Sequence, residues 1–251
     1  DCKDGVCEYI WNGFEAGASK VSVALKGTPL QEAMALLISD NGTGIPYESF
    51  DDTFCAFLSS TKNNSTIRIK SQSNKGKGRF SYLAFSSEAE WTTVYETDGV
   101  LKKYTIKTDS CDRSQFDTTE PEIVANLAET GTTVIFPLSD ANTTDQLAFV
   151  NMRQKLLEEF AWFLYLYKDK GYPLDISQYI NTELSSSCIE SVGDVTFNIS
   201  VVVWKNNVSN SSKIYYLTEA GEIAATENTS FNKNKVGFYH AVFVSSKYFK
   251  P

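Results

Sequence analysis

The sequence predicts an α+β protein, a two-layer sandwich of mixed β-sheet with helices on one face, followed by a second α/β module. Three observations carry this expectation. Short alternating or apolar runs bounded by turn residues recur along the first half. An amphipathic helical segment opens the chain and another follows the glycine-rich stretch near residue 78. A polar stretch of turn formers, Ser139 to Asp145, then separates these elements from a long apolar helix and further strands.

The elements follow in order. A helix is expected from Val6 to Ala18, ending near Gly17. Val21 to Leu25 alternates and reads as a strand, followed by a turn at Gly27-Thr28-Pro29. Met34 to Ser39 is a short apolar run stopped by a glycine turn, which marks a buried strand despite helix-compatible residues. The polar stretch from Ser59 to Lys75 reads as a lid-like connection. A helix opens at Gly78-Arg79 and runs to about Phe85, and strands are expected at Trp91–Tyr95, Leu101–Lys107 and Thr132–Phe136. Mixed elements of this kind pack as a sheet covered by helices. The first domain is therefore placed at residues 1–140 and the second at 145–251. In the second, a helix runs from Gln146 to Lys168 and stops at Gly171-Tyr172-Pro173. A strand follows at Thr196–Trp204, with Phe197, Ile199, Val201 and Val203 on one face. Two more strands flank the Glu219–Glu222 turn, and the last covers Gly237 to Val244. Asp1 rather than Met at the start, and the stop at Pro251, fit a segment of something longer with an incomplete second domain.

Hydrophobic residues make up 42% and charged residues 22% of the 251 positions, which places the chain among folded proteins rather than disordered ones. No signal peptide is visible. The most apolar stretch, Leu156 to Tyr167, is interrupted by Glu158 and Glu159 and is shorter than the ~20 residues a membrane span needs. Five scattered cysteines, Cys2, Cys7, Cys55, Cys111 and Cys188, show no metal-ligand spacing and read as isolated thiols of a reducing, cytoplasmic compartment. A formal net charge of −8 does not support a surface built to grip nucleic acid. Within this acidic chain, however, Thr53 to Ser87 holds no acidic residue while Lys62, Arg68, Lys70, Lys75, Lys77 and Arg79 all fall inside it. Such a segment fits a local anionic ligand, or a solvated basic loop.

Three short stretches carry the chemistry. In Glu8-Tyr9-Ile10-Trp11-Asn12-Gly13-Phe14-Glu15-Ala16, residues four and seven apart share a helix face, so Glu8, Asn12 and Glu15 form one polar stripe. A carboxylate there can orient and deprotonate water, and an amide oxygen is a hard ligand for Mg²⁺. The same stripe also reads as the exposed side of an amphipathic helix. In Asp40-Asn41-Gly42-Thr43-Gly44, a carboxylate at a strand end enters a turn whose glycines permit close approach of a ligand. That carboxylate can accept a hydrogen bond from an exocyclic amine such as that of adenine; taken alone, the turn is also an ordinary hairpin. In Lys75-Gly76-Lys77-Gly78-Arg79-Phe80, glycines precede a helix whose N–H groups can meet phosphates. It is neither a Walker A loop nor a dinucleotide fingerprint.

Taken together, these stretches resemble the gyrase, heat-shock chaperone, histidine kinase and MutL (GHKL) superfamily of ATPases, which has the Bergerat nucleotide-binding fold. The first is similar to the family box E-x-x-x-N-x-x-D-A, and its Ala16-Gly17-Ala18 tail to the MutL branch. Asp40 to Gly44 matches D-x-G-x-G. Ser59-Ser60-Thr61-Lys62 resembles the element at the start of the lid, Gly76 to Phe80 the glycine box at its end, and Gly131-Thr132-Thr133-Val134 the final Gly-Thr box. The matching positions run from residue 8 to 134, about half of the chain.

The resemblance implies ATP and Mg²⁺ as cofactors, with Glu8 as the general base and Asn12 as the metal ligand. Asp40 would read adenine, supported by Thr132. Gly42 and Gly44 would let the nucleotide approach, Gly76, Lys77, Gly78, Arg79 and Phe80 would cradle phosphates, and Lys62 would close over them. The expected activity is slow Mg-dependent ATP hydrolysis that drives lid closure and association with a partner or second protomer. Glu15 stands where the family usually has Asp. The region after residue 145 is similar in order to the family's transducer domain, where a lysine reaches the γ-phosphate; no lysine here is assigned to it. Two alternatives stand beside this reading: a nucleotide-gated clamp that does not hydrolyse, and a histidine-kinase-type catalytic domain. His240, the one histidine, sits in a strand-like context unsuited to accepting a phosphoryl group.

Overall fold

The computed structural model describes residues 1–27, 34–50, 78–108, 115–124, 129–167, 179–205, 212–232 and 238–250. The described residues fall into two compact units, one reaching Met152 and the other starting at Arg153. No helix among them is long and apolar enough to cross a membrane.

The first unit opens with α1 (Cys2–Glu15). It begins four residues before the expected start because the Asp1 carboxylate accepts the Asp4 N–H at 2.8 Å, a cap the apolar pattern does not show. It ends as expected, with Gly17 at φ +77°. The sheet then assembles from β1 (Val21–Gly27), β2 (Met34–Asp40), β3 (Glu90–Thr97), β4 (Val100–Thr108), β5 (Phe116–Thr118), β6 (Glu122–Ile123) and β7 (Gly131–Leu138). Their order is β1-β2-β7-β3-β4-β5, with β6 also on β4. Every described pairing in this sheet is antiparallel. The mixed character expected of the sheet is therefore not found among the described pairings.

Register aligns Leu36 with Phe136, Ile38 with Val134, and Val134 with Trp91, so these side chains share one face. All five are buried. On that face Tyr9 of α1 meets Phe136 edge-on at 4.8 Å, and Phe85 meets it at 5.1 Å. Burying a side chain of this size contributes roughly 1.5–3 kcal/mol, which is what holds the helical layer to the sheet. The helix expected at Gly78 is present as a 3-10 helix, Gly78–Ala84. The Ser139–Asp145 stretch holds a helix start. Asp140 accepts from the N–H of Asn142 at 3.3 Å and of Thr143 at 2.7 Å, and α2 (Ala141–Leu147) follows. The long helix expected from Gln146 begins instead after a break at Ala148, as α3 (Phe149–Leu166).

In the second unit the sheet runs β11-β10-β12-β9-β8. Its strands are β8 (Ser186–Val192), β9 (Val195–Trp204), β10 (Lys213–Leu217), β11 (Ile223–Asn228) and β12 (Tyr239–Ser245). The one parallel pairing described in the protein is β10 with β12. The sheet packs on α3 through aromatic rings: Trp162 stacks on Tyr215 at 4.8 Å and Tyr165 on Phe243 at 5.3 Å. Trp204 meets Tyr165 from the same side, so Val202 and Trp204 face the helix, while Phe197, Ile199 and Val201 lie half-buried on the other face. Strand β8 is exposed along its whole length and has no apolar alternation to announce it.

Candidate functional site

Asp40 closes β2, opposite Thr132 of β7 and Val21 of β1. The Gly42 N–H donates to its Oδ1 at 2.8 Å, which holds the carboxylate over the turn. Burial raises the Asp40 carboxyl above its ordinary value; the backbone N–H groups of Gly42 and Thr132 offset part of that rise. A hydrogen-bond donor placed against this half-buried carboxylate would offset that cost.

Helix α1 reaches this carboxylate through Gly13. A Cβ added at Gly13 would stand 2.8 Å from Val21 Cγ2 and 3.0 Å from Asp40 Cβ. The end of the helix is also tied to the turn, since the Thr43 N–H donates to the Ala16 carbonyl at 3.0 Å. A Cβ at Gly42 would lie 2.8 Å from that same carbonyl oxygen. The first two sequence stretches thus form one piece of structure.

Strand β3 completes the site. Gly44 has φ +74°, and a Cβ there would collide with the Val94 carbonyl. Only glycine meets both conditions. The following residue is held by a side chain the sequence reading did not single out. The Ile45 N–H donates to Thr93 Oγ1 at 2.9 Å. The same hydroxyl lies 3.3 Å from the Gly131 carbonyl and 3.1 Å from Thr132 Oγ1. Thr93 is fully buried between Trp91 and Tyr95 on the inward face of β3. A hydroxyl in that apolar row was the signal available in the sequence.

On α1, Glu8, Asn12 and Glu15 form the expected stripe, each half-exposed, while Ile10 and Phe14 are buried. Asn12 directly precedes the residue packed on Asp40. Among the described residues no three histidine, cysteine, aspartate or glutamate side chains cluster as a metal cage. Mg²⁺ carried by a triphosphate does not need one: it keeps several waters and takes one or two side-chain oxygens. The donor set on the stripe, an amide oxygen one turn from a carboxylate, is of that kind.

Of the remaining expected site residues, Lys62, Gly76 and Lys77 lie outside the described residues, as does the Arg79 side chain. Gly78 opens the 3-10 helix. Phe80 turns onto the sheet, its ring 5.8 Å from that of Phe116. His240 is a buried, packed side chain on β12, its Nδ1 3.3 Å from the Phe238 carbonyl.

A family model described as "Histidine kinase-, DNA gyrase B-, and HSP90-like ATPase" matches residues 2–132, slightly more than half of the chain. No curated protein matches it in sequence.

Proposed function

The chain belongs to the histidine kinase-, DNA gyrase B- and HSP90-like ATPases, and from that membership we propose that it binds ATP at Asp40 and hydrolyses it with Glu8. The observation that carries this is the convergence on Asp40. Gly13 of the helix, Gly42 of the turn and Thr132 of β7 all meet at its side chain or backbone.

Adenine's exocyclic amine donates to the Asp40 carboxylate, and the glycines of the turn let the nucleotide lie against the backbone. Residues 76–80 take the phosphates, with Lys62 closing over them. Asn12 offers its side-chain oxygen to Mg²⁺, which when bound neutralises charge on the phosphate oxygens. Glu8 orients a water and accepts its proton as the oxygen bonds to the γ-phosphorus. The bond from that phosphorus to the β–γ bridging oxygen breaks, and ADP and phosphate leave. General-base assistance of this kind contributes about 10²–10⁴-fold.

The acid-free basic segment, residues 53–87, would close as a lid over the triphosphate, and closure would favour association with a partner or a second protomer. The basis is charge: the segment carries six cations and no acidic residue of its own, and a polyphosphate is suited to neutralise them. The domain at 145–251 would carry that change onward as a transducer.

Calorimetry with ATP and Mg²⁺, paired with phosphate release, tests the reading. Saturable ATP binding with slow release of phosphate supports it. Binding without release would leave the non-hydrolysing clamp, and no binding would remove the proposal altogether.

A further inference from the structure

The edges of the two sheets are not alike among the described strands. In the first sheet β5 and β6 are three and two residues long, and β1 carries the exposed Lys26. In the second, β11 shifts register against β10. Short strands, lysines and irregular pairing keep sheet edges from joining other chains. Strand β8 has none of these. It runs for seven residues in unbroken antiparallel register with β9, and Glu190 is its one charged residue. Ile189 and Val192 on it are 70% and 71% exposed.

The hairpin decides which backbone groups of β8 are unused. Val192 faces Val195 across a two-residue turn whose first residue, Gly193, has φ +58°. Such a turn closes on a hydrogen-bonded pair, so by alternation Ser186, Cys188, Glu190 and Val192 direct their N–H and C=O groups to β9. In keeping with this, the Val203 N–H of β9 points to the β8 side and donates to Ser185 Oγ at 3.0 Å. The backbone groups of Ser187, Ile189 and Ser191 therefore face away from the sheet, with Ile189 at their centre.

We propose that β8 docks on β8 of a second copy of this chain, antiparallel about a two-fold axis at Ile189 and without need of nucleotide. A strand set antiparallel to its own copy is self-complementary in hydrogen bonds, as an isologous contact requires. The side chains agree with that register. Ser187 meets Ser191 of the second copy, Ser186 meets Val192, and Cys188 meets Glu190. The strand's single carboxylate thus faces a thiol and not its own copy, so no like charges are opposed. The two five-stranded sheets then form one. This contact is separate from the ATP reading, because β8 lies outside the residues matched to the ATPase family.

Sedimentation equilibrium of the whole chain, reduced and without nucleotide, reads the association. With rising concentration the wild type should move from the monomer mass toward twice that mass. Ile189→Pro removes an N–H that β9 does not use, so the fold is kept. Both bonds exchanged across the axis are lost, and the dimer should weaken roughly tenfold or more. Ile189→Lys sets two cations on the axis without touching the backbone; it should act alike, and it replaces the proline variant should that one unfold. Glu190→Cys reads the register. Its thiol faces Cys188 of the second copy in a non-hydrogen-bonded pair with Cα atoms about 4.5 Å apart. Within one strand positions 188 and 190 stand about 6.6 Å apart on one face, too far to bridge. With oxidised glutathione this variant should become a disulfide-linked dimer, and adding Cys188→Ser should abolish the link. A wild type that stays monomeric overturns the inference and leaves the edge to a strand of another protein. Association that needs ATP, that neither Ile189 variant weakens, or that gives no disulfide in Glu190→Cys overturns it too. None of these results bears on ATP binding, and a chain that binds no ATP leaves this test intact.

Discussion

Gly13 and Asp40 pack so closely that a methyl group on the first would stand 3.0 Å from the Cβ of the second. The helix that carries Glu8 and Asn12 is thereby seated directly on the carboxylate proposed to read the base. In an exposed helix Gly→Ala would gain about 1 kcal/mol. Here the added carbon also meets Val21 Cγ2 at 2.8 Å, and overpacking typically costs about 1–3 kcal/mol. Gly13→Ala should therefore lower the unfolding temperature and weaken ATP binding. A rise in melting temperature with unchanged affinity would show that the contact is slack.

Asp40→Asn separates binding from stability. Burial raises the Asp40 carboxyl, so folding favours its protonated form. Its stabilising contribution is present below the unfolded value of about 3.9 and is lost as pH rises through the higher folded value. Once ionised, the buried carboxylate is a cost in the free protein. Denaturant titrations of wild type and Asp40→Asn should show the wild type losing ground to the variant as pH rises above the unfolded value of about 3.9. ATP affinity should drop by on the order of tenfold or more in the variant. Wild-type affinity in Asp40→Asn would detach this residue from the base.

Glu8→Ala should leave nucleotide affinity nearly intact and lower turnover by roughly 10²–10⁴-fold. Phosphate release under single-turnover conditions is the measurement. Equal rates in wild type and variant would assign the proton acceptor elsewhere.

Gly44→Ala should unseat the turn that follows Asp40. The residue has φ +74° and faces the Val94 carbonyl, so alanine meets about 1–2 kcal/mol of left-handed strain before any collision is counted. Faster hydrogen exchange at the amide of Ile45, which Thr93 now holds, should accompany weaker ATP binding. Unchanged protection of that amide would mean that the loop accommodates the side chain.

Across residues 59–75, hydrogen exchange should slow with ATP more than with ADP, since the γ-phosphate supplies the additional charge. Equal exchange with ATP, with ADP and without nucleotide would reduce the basic segment to a solvated loop.

Much of the fold was legible in the sequence where a single face is buried. Met34 to Ser39 read as a strand because a glycine turn cuts its apolar run short, and Glu8, Asn12 and Glu15 as a stripe because their spacing is helical. The start of α1 was missed because it depends on a capping carboxylate at Asp1, not on periodicity. The turn formers of Ser139 to Asp145 are equally good helix caps, and Asp140 uses them so. Strand β8 was missed because it is exposed throughout and needs no alternation. Within the site, glycine turns and Asp40 announce themselves by residue type. Thr93 does not, because what matters is its place opposite Thr132, and register is set by long-range pairing.

The bond from the Thr43 N–H to the Ala16 carbonyl makes α1 and the Asp40 turn a rigid ruler. Along a helix each residue advances about 1.5 Å, so the level of Glu8 lies about 7.5 Å from that of Gly13, a span that cannot stretch while the staple holds. On the proposed function, one end of the ruler would be set at the base and the other at the water. A ligand too short to reach both marks would be held but not cut. Movement that follows cleavage would then arise in elements off the ruler, leaving the measuring edge itself unchanged from one turnover to the next.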